Sequence, residues 1–351
     1  MNHSTKAESE MPQDTAQTAK TAQTADAGAI PAGNVPRSTP SVRHVPRGHL
    51  VGFALMAAFA LIAPQFLYPV FVMKLMCFAL FATAFNLLLG FGGLLSFGHA
   101  AFFGTAGYAA GHAAKVWGLP PEVAILFAVA VSVVLGTVFG YLAIKSSGIY
   151  FAMITLAFAQ MVYFFTLQSP LTGGEDGLQG IDRNPFLGFI DISDDRAFYW
   201  LVVAVFVVGF FIIYRTVHSP FGEVLRAIRE NEPRMISLGY QVDRYKLMTF
   251  VISAAVAGMA GGTKALVFHL ASLVDVHWTM SGEVVLMTLI GGMGTIFGPM
   301  VGAALIVTMQ NYLSSLGSMV LIIQGVVFIF CVLAFREGIV GVIAKWFKTR
   351  L

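Results

Sequence analysis

The stretch "RAIRENEPRMISLGYQVDRYK", Arg226 to Lys246, carries eight charged residues in twenty-one, in a chain of 351 residues of which only 11% are charged. On either side of it the sequence is strongly apolar. Hydrophobic residues make up 57% of the chain, Phe alone occurs 31 times, and mean hydropathy is +0.77. That is more apolar surface than a soluble core of this size can bury. The charged stretch therefore reads as a loop between membrane-crossing segments, and the chain as an all-α polytopic membrane protein.

Outward from that loop, seven segments are apolar for about the 20 residues that a bilayer crossing needs: 49–66, 70–90, 95–114, 122–144, 149–168, 197–214 and 247–268. The region from Glu283 to Leu313 is too long for one crossing and is interrupted by "GGMGTIFGP", Gly291 to Pro299. Clustered Gly and Pro mark a break, so two short crossings are expected there. A last apolar run spans 319–335, giving ten transmembrane helices, or eight if 283–313 only dips in and returns.

Basic residues set the orientation. Arg37, Arg43 and Arg47 precede the first crossing, Lys145 follows the fourth, and the 215–246 loop holds Arg215, Arg226, Arg229, Arg234, Arg244 and Lys246. All fall on one side, the inside. The 169–196 loop falls outside, with Glu175, Asp176, Asp182, Asp191, Asp194 and Asp195 against only Arg183 and Arg196. The C-terminal Arg336, Lys345, Lys348 and Arg350 place that end inside too, which favours an even number of crossings and both termini cytoplasmic.

The chain thus divides into a tail at 1–48, a transmembrane domain at 49–336 and a tail at 337–351. The first is rich in Ala, Thr, Gln and Pro, lacks hydrophobic periodicity and is expected to be disordered. Its acidic start, with Glu8, Glu10 and Asp14, does not suit a cleaved signal peptide. The second tail alternates apolar residues with basic ones and suits an interfacial helix at the inner leaflet, in contact with membrane lipid.

Chemistry at depth is sparse. Cys77 and Cys331 lie far apart in apolar runs and suggest packing, with neither a disulfide nor a metal site. Asn86, Ser96 and His99 stand near a glycine-rich stretch, and Gln160 lies in the fifth crossing. None is a buried carboxylate; Glu283, near a span end, is the one acidic candidate. His99 reads as a hydrogen-bonded packing residue. Small residues at helical spacing (Gly107 and Gly111, Gly136 and Gly140, Gly258 and Gly262, Gly294 and Gly298) suit close helix packing. The density of Gly from Gly90 to Gly98, including Gly92 and Gly93, also suits an unwound segment whose backbone lines a pathway. No phosphate loop, HExxH or GxSxG motif occurs, "GGTK" at Gly261–Lys264 has the wrong order, and nothing points to nucleic acid, so an enzyme is not expected.

Within the charged stretch, Leu225 and Ile228 share one helical face, while Arg226 and Glu230 have i, i+4 spacing on another. Pro233 suits the start of a second helix and Gly239 its C-terminal cap. Two short helices would make a cytoplasmic knob whose apolar side (Leu225, Ile228, Met235, Ile236) calls for a partner.

At this point the sequence resembles a known family, the permease subunits of bacterial branched-chain amino-acid ABC importers, of the LivM type. The resemblance is carried by "FNLLLGFGGLLSFGHAAFFGTAGYAAG" (Phe85–Gly111), "GIYFAMITLAFAQMVYFF" (Gly148–Phe165), "TGGEDGLQGI" (Thr172–Ile181), "SPFGEVLRAIRENEPRMISLGYQVDRYKL" (Ser219–Leu247) and "LIGGMGTIFGPMVGAAL" (Leu289–Leu305). It implies a loop that fits a groove on an ATP-hydrolysing subunit, with Glu230, Asn231 and Glu232 entering and Arg226, Arg229 and Arg234 around them. It further implies two ATPase subunits that hold ATP and Mg, so that this chain needs no cofactor of its own. The remaining partners would be a LivH-type permease and a periplasmic substrate-binding protein. Thr172, Gly173, Gly174, Glu175, Asp176 and Gly177 become candidates for docking or gating outside. The expected substrates are leucine, isoleucine and valine. Importers of urea and short amides share these motifs, and a stand-alone channel or secondary carrier would have no use for the knob.

Overall fold

Apolar length dictates the long elements, because backbone polar groups surrounded by lipid are satisfied only inside helices. The computed structural model describes residues 47–188, 192, 194–317, 319–334 and 338–346. Residues 1–46 of the expected disordered tail, with Arg37 and Arg43, lie outside the described residues, as do Asp191, Arg336, Phe347, Lys348 and Arg350.

Helices α1 (Arg47–Phe66), α2 (Pro69–Asn86), α3 (His99–Lys115), α4 (Pro121–Ala143), α5 (Ile149–Gln168) and α6 (Asp195–Val217) are followed by the short pair α7 (Pro220–Glu230) and α8 (Glu232–Ser237). Then come α9 (Val242–Phe268), α10 (Trp278–Gly291), α11 (Gly298–Tyr312), α12 (Met319–Ala334) and α13 (Gly338–Trp346). Every expected crossing corresponds to a helix, and the break foreseen in 283–313 falls between α10 and α11. Pro69, Pro121 and Pro220 open their helices, where a missing N–H costs nothing. Among the described residues, five helices are long and apolar enough to cross a membrane: α2 continued to Phe91, α4, α5, α6 and α9. The chain is a multi-pass membrane protein; α1, α10 and α12 contribute shorter apolar helices.

Helices α2 and α9 form the centre, with 83% and 72% of their apolar windows buried against 33–39% for α4, α5 and α6. Small residues let backbones approach there, where lipid supplies no hydrophobic drive. A Cβ on Gly136 would stand 2.6 Å from that of Ala254, and one on Gly262 would stand 2.8 Å from that of Ala128. Ser132 also donates to the Phe102 carbonyl at 3.2 Å, tying α4 to α3.

Two glycine breaks meet at one end of this bundle. Helix α2 widens into a π turn at Leu87–Phe91, with the Gly92 N–H reaching the Leu87 carbonyl at 3.2 Å, and no helix resumes until His99. Gly93 has φ +70°, a left-handed conformation that favours glycine. The second break joins α10 to α11 and is closed by Thr295, whose hydroxyl donates to Gly292 O at 2.8 Å and accepts from Gly298 N at 3.1 Å. Asn86 fastens the two breaks together. Its Nδ2 donates to Thr295 O at 2.8 Å and its Oδ1 accepts from Gly294 N at 2.9 Å.

At the opposite end a two-stranded antiparallel ribbon pairs Leu178 with Ala271 and Gln179 with Leu270. This joins the acidic 169–196 loop to the α9–α10 connection. Helix α13 packs on α10 and α11, with Val340 buried and Ile339 against the core, so part of the tail expected at the membrane interface is also held by protein.

Candidate functional site

The short helices α7 and α8 form as the local signals dictate. Asn231, between them, accepts from Arg234 N at 3.1 Å and caps α8. Gly239 (φ +86°) ends it: its N–H reaches Ile236 O at 2.9 Å, and Tyr240 N reaches Met235 O at 3.1 Å, the paired bonds of a Schellman cap.

The apolar side of this knob differs from expectation. Leu225, Ile228 and Met235 are buried within the chain, the last two in a cluster with Val242 and Tyr245 at the start of α9. Nearby, Phe221 and Tyr245 stack at 5.3 Å. Only Ile236 of the four remains exposed, and Leu238 and Tyr240 join it there. The reason is that α9 begins at Val242, earlier than the apolar run indicates, and its first turn supplies the missing partner.

The charges are also used internally. Glu232 pairs with Lys246 at 2.6 Å, with the Lys246 side chain only 6% exposed. Arg226 lies over the Phe91 ring at 5.1 Å, rather than pairing with Glu230. Arg229 donates to the carbonyl of Gly90 and its aliphatic stem packs on Gly93. Both arginines thus grip the π turn of α2, one by its last aromatic ring and the other by an end-of-helix carbonyl that has no helical partner. Contacts of this kind are together worth on the order of 2–4 kcal/mol. Glu230, Asn231, Arg234 and Gly239 remain on the exposed tip.

A cavity of about 420 Å³ lies between knob and breaks, lined by Gly92, Gly93, Arg229, Glu232, Lys246 and Met293, with the Ser147–Gly148 turn at its edge. Residues expected separately for coupling and for the pathway therefore share one wall. The other pathway candidates are spread more widely. Ser96 is buried and accepts from Gly98 N at 3.2 Å. His99 is buried among Phe85, Phe102 and Phe250, with Nε2 2.8 Å from Ser253 Oγ. Ser253 donates its proton to Ala84 O at 2.6 Å, so the His99 proton sits on Nε2, and Nδ1 has no partner among the described residues. Asn86 serves as the clamp between breaks. Gln160 is half-buried on α5, about a turn and a half beyond Thr155, whose hydroxyl receives the Phe97 N–H at 3.1 Å.

At the opposite end, Thr172 donates to Thr166 O (2.5 Å) and Ser169 O (2.8 Å), and Gly173, Gly174 and Gly177 all have positive φ. The result is a tight turn that holds Glu175 and Asp176 exposed.

Three features escaped the sequence reading. Arg183 is buried and caps α9 by donating to Leu266 O (3.1 Å) and Val267 O (2.9 Å), while pairing with Asp195 at 2.7 Å. Lys264, inside α9, pairs with Asp275 at 2.5 Å, and Gln310 donates to Glu283 at 3.0 Å. Asp275 is 6% exposed, which corrects the expectation that Glu283 alone could supply a carboxylate at depth. A lone lysine within "AAVAGMAGGTKALVF" was the available signal, because an unpaired ammonium there would be costly.

Residues 67–332 match the family described as branched-chain amino acid transport system, permease component. The high-affinity branched-chain amino acid transport permease LivM of Salmonella typhimurium is 29% identical over 259 residues, covering 67% of this chain and 61% of the relative. Its Escherichia coli counterpart is 28% identical over the same shares. The ribose import permease RbsC of Bacillus subtilis is 28% identical over 191 residues, covering 51% of this chain and 56% of that protein. The chain thus spans about 61% of the length of these two LivM relatives. No solved structure matches. With the matched region running from the start of α2 into α12, the chain belongs to the permease components of branched-chain amino acid transport systems and is LivM-type.

Proposed function

We propose that this chain is a membrane subunit of an ATP-binding-cassette importer that carries leucine, isoleucine and valine across the bacterial inner membrane. It acts beside a LivH-type permease and takes substrate from a periplasmic binding protein. Two separate ATPase subunits bind ATP and Mg and drive the cycle. The chain crosses ten times with both termini cytoplasmic, the knob inside and the 169–196 loop outside. The observation that carries this reading is the ordered knob, exposed at its tip and gripping the π turn through Arg226 and Arg229. A channel or carrier working alone has no use for such a handle.

In this reading the ATPase groove receives Glu230, Asn231 and Arg234. Closure of the two ATPases displaces α7 and α8, and Arg229 passes that displacement to Gly90 and hence to both breaks. Glu232 supports the knob from within through Lys246.

Uptake of labelled leucine at low external concentration, in cells with and without the gene, tests the proposal. Loss of an uptake that excess isoleucine blocks and urea does not supports it; unchanged leucine uptake removes the substrate assignment. Since RbsC is by name a ribose importer, ribose joins urea as a competitor. Arg229→Glu is expected to abolish uptake while membrane abundance is kept, and normal uptake by that variant would sink the coupling role.

A further inference from the structure

Lys264 and Asp275 form an ion pair where stability alone does not call for one. Two opposite charges removed from water gain little over a well-packed apolar pair, and Lys264 lies inside α9, where an ionisable group marks function by default, while Asp275 closes the short turn that follows that helix. The pair has company. Lys74 lies on α2, which packs against both α9 and α10, the helices of Lys264 and Glu283, and Glu283 is held by Gln310 on α11. Tyr108 on α3 is 6% exposed, its hydroxyl has no hydrogen-bond partner among the described residues, and α3 packs against both α9 and the Leu273–Asp275 turn. Four helices and the α9–α10 connection thus converge on two ammonium groups, two carboxyl groups and one unsatisfied hydroxyl, at the end of the bundle opposite the knob.

We propose that this cluster is a binding subsite for the charged backbone of an α-amino acid, with Lys264 and Asp275 exchanging each other for the two ends of the zwitterion. The ligand carboxylate takes Lys264, its ammonium takes Asp275, and Tyr108 donates to the carboxylate. Each charge stays paired throughout, so the exchange avoids the penalty of an uncompensated buried charge. The side chain of the amino acid is not read by these groups. The inference rests on the reading of the chain as an amino-acid permease and adds to it the residues that meet the substrate.

The test is thermal unfolding of the full chain in lipid nanodiscs, titrated with leucine, alanine, leucinamide (no carboxylate) and 4-methylpentanoate (no ammonium). Leucine is expected to raise the melting temperature and the two analogues are not. Tyr108→Phe is expected to melt like the wild type without ligand, because its hydroxyl has no partner among the described residues, yet to need about tenfold more leucine or above for the same shift. Asp275→Asn is expected to lose the shift. No shift with either amino acid, equal shifts with the analogues, or a wild-type response from Tyr108→Phe overturns the subsite. Gene-dependent leucine uptake combined with no shift keeps the importer reading and removes the subsite. A shift with alanine but not leucine keeps the subsite and removes the branched-chain assignment.

Discussion

Asn86 divides its carboxamide between two backbone groups of a distant turn, and neither the Gly294 N–H nor the Thr295 carbonyl is otherwise provided for by the hairpin's helices. Asn86→Ala leaves both without that partner and is expected to destabilise the chain by roughly 1–3 kcal/mol for each group left buried and unpaired. Unfolding in detergent micelles measures it. Asn86→Asp keeps the acceptor but sets a carboxylate against Thr295 O, so it is not expected to rescue. The sequence shows Asn86 as a polar residue in an apolar helix and no more, because the residues it binds lie more than two hundred positions away. Gly239 was legible in full, since its cap depends only on neighbours. Arg229 was legible as a charge on a loop; that it turns back onto Gly90 was not, because the π turn that presents the carbonyl carries no sequence signature.

Helix positions were readable wherever apolar length decides them, and they came out within a few residues. The apolar faces of short amphipathic elements were harder, as α7 and α8 show. Their buried side depends on where α9 begins, and Val242, Tyr245 and Lys246 sit in a stretch too polar to read as part of a crossing. The Glu232–Lys246 pair now fixes α8 on α9, so Glu232→Lys is expected to disorder the knob and lower uptake. The swap Glu232→Lys with Lys246→Glu restores the pair and is expected to recover uptake to near the wild type. In the centre, a Cβ on Gly258 would stand 2.5 Å from the Cβ of Ser132. Gly258→Val is therefore expected to push α4 from α9 at a cost of roughly 1–3 kcal/mol, read as a lower melting temperature with α7 and α8 unaffected.

For the molecule as a whole, the distribution of basic residues supports the proposed orientation, with both ends cytoplasmic. Cys77 and Cys331 are buried, at 1% and 7% exposure, so the native chain gives little background to a membrane-impermeant maleimide. Asn231→Cys is expected to label only from the cytoplasmic side and Glu175→Cys only from the outside; labelling of both from one side would overturn the topology. Helices α10, α11 and α12 hold 14, 15 and 16 residues, or about 21–24 Å at 1.5 Å per residue. The hydrocarbon layer is about 30 Å thick. In the proposed ten-crossing arrangement, lipid beside these helices has to compress to meet them, at a cost of fractions of a kcal/mol per Å, whereas α9, with 27 residues, is long enough for the full depth. The thickness of the host bilayer thus becomes a load on the α10–α11 hairpin, and vesicles of longer-chain lipids are expected to slow its movement.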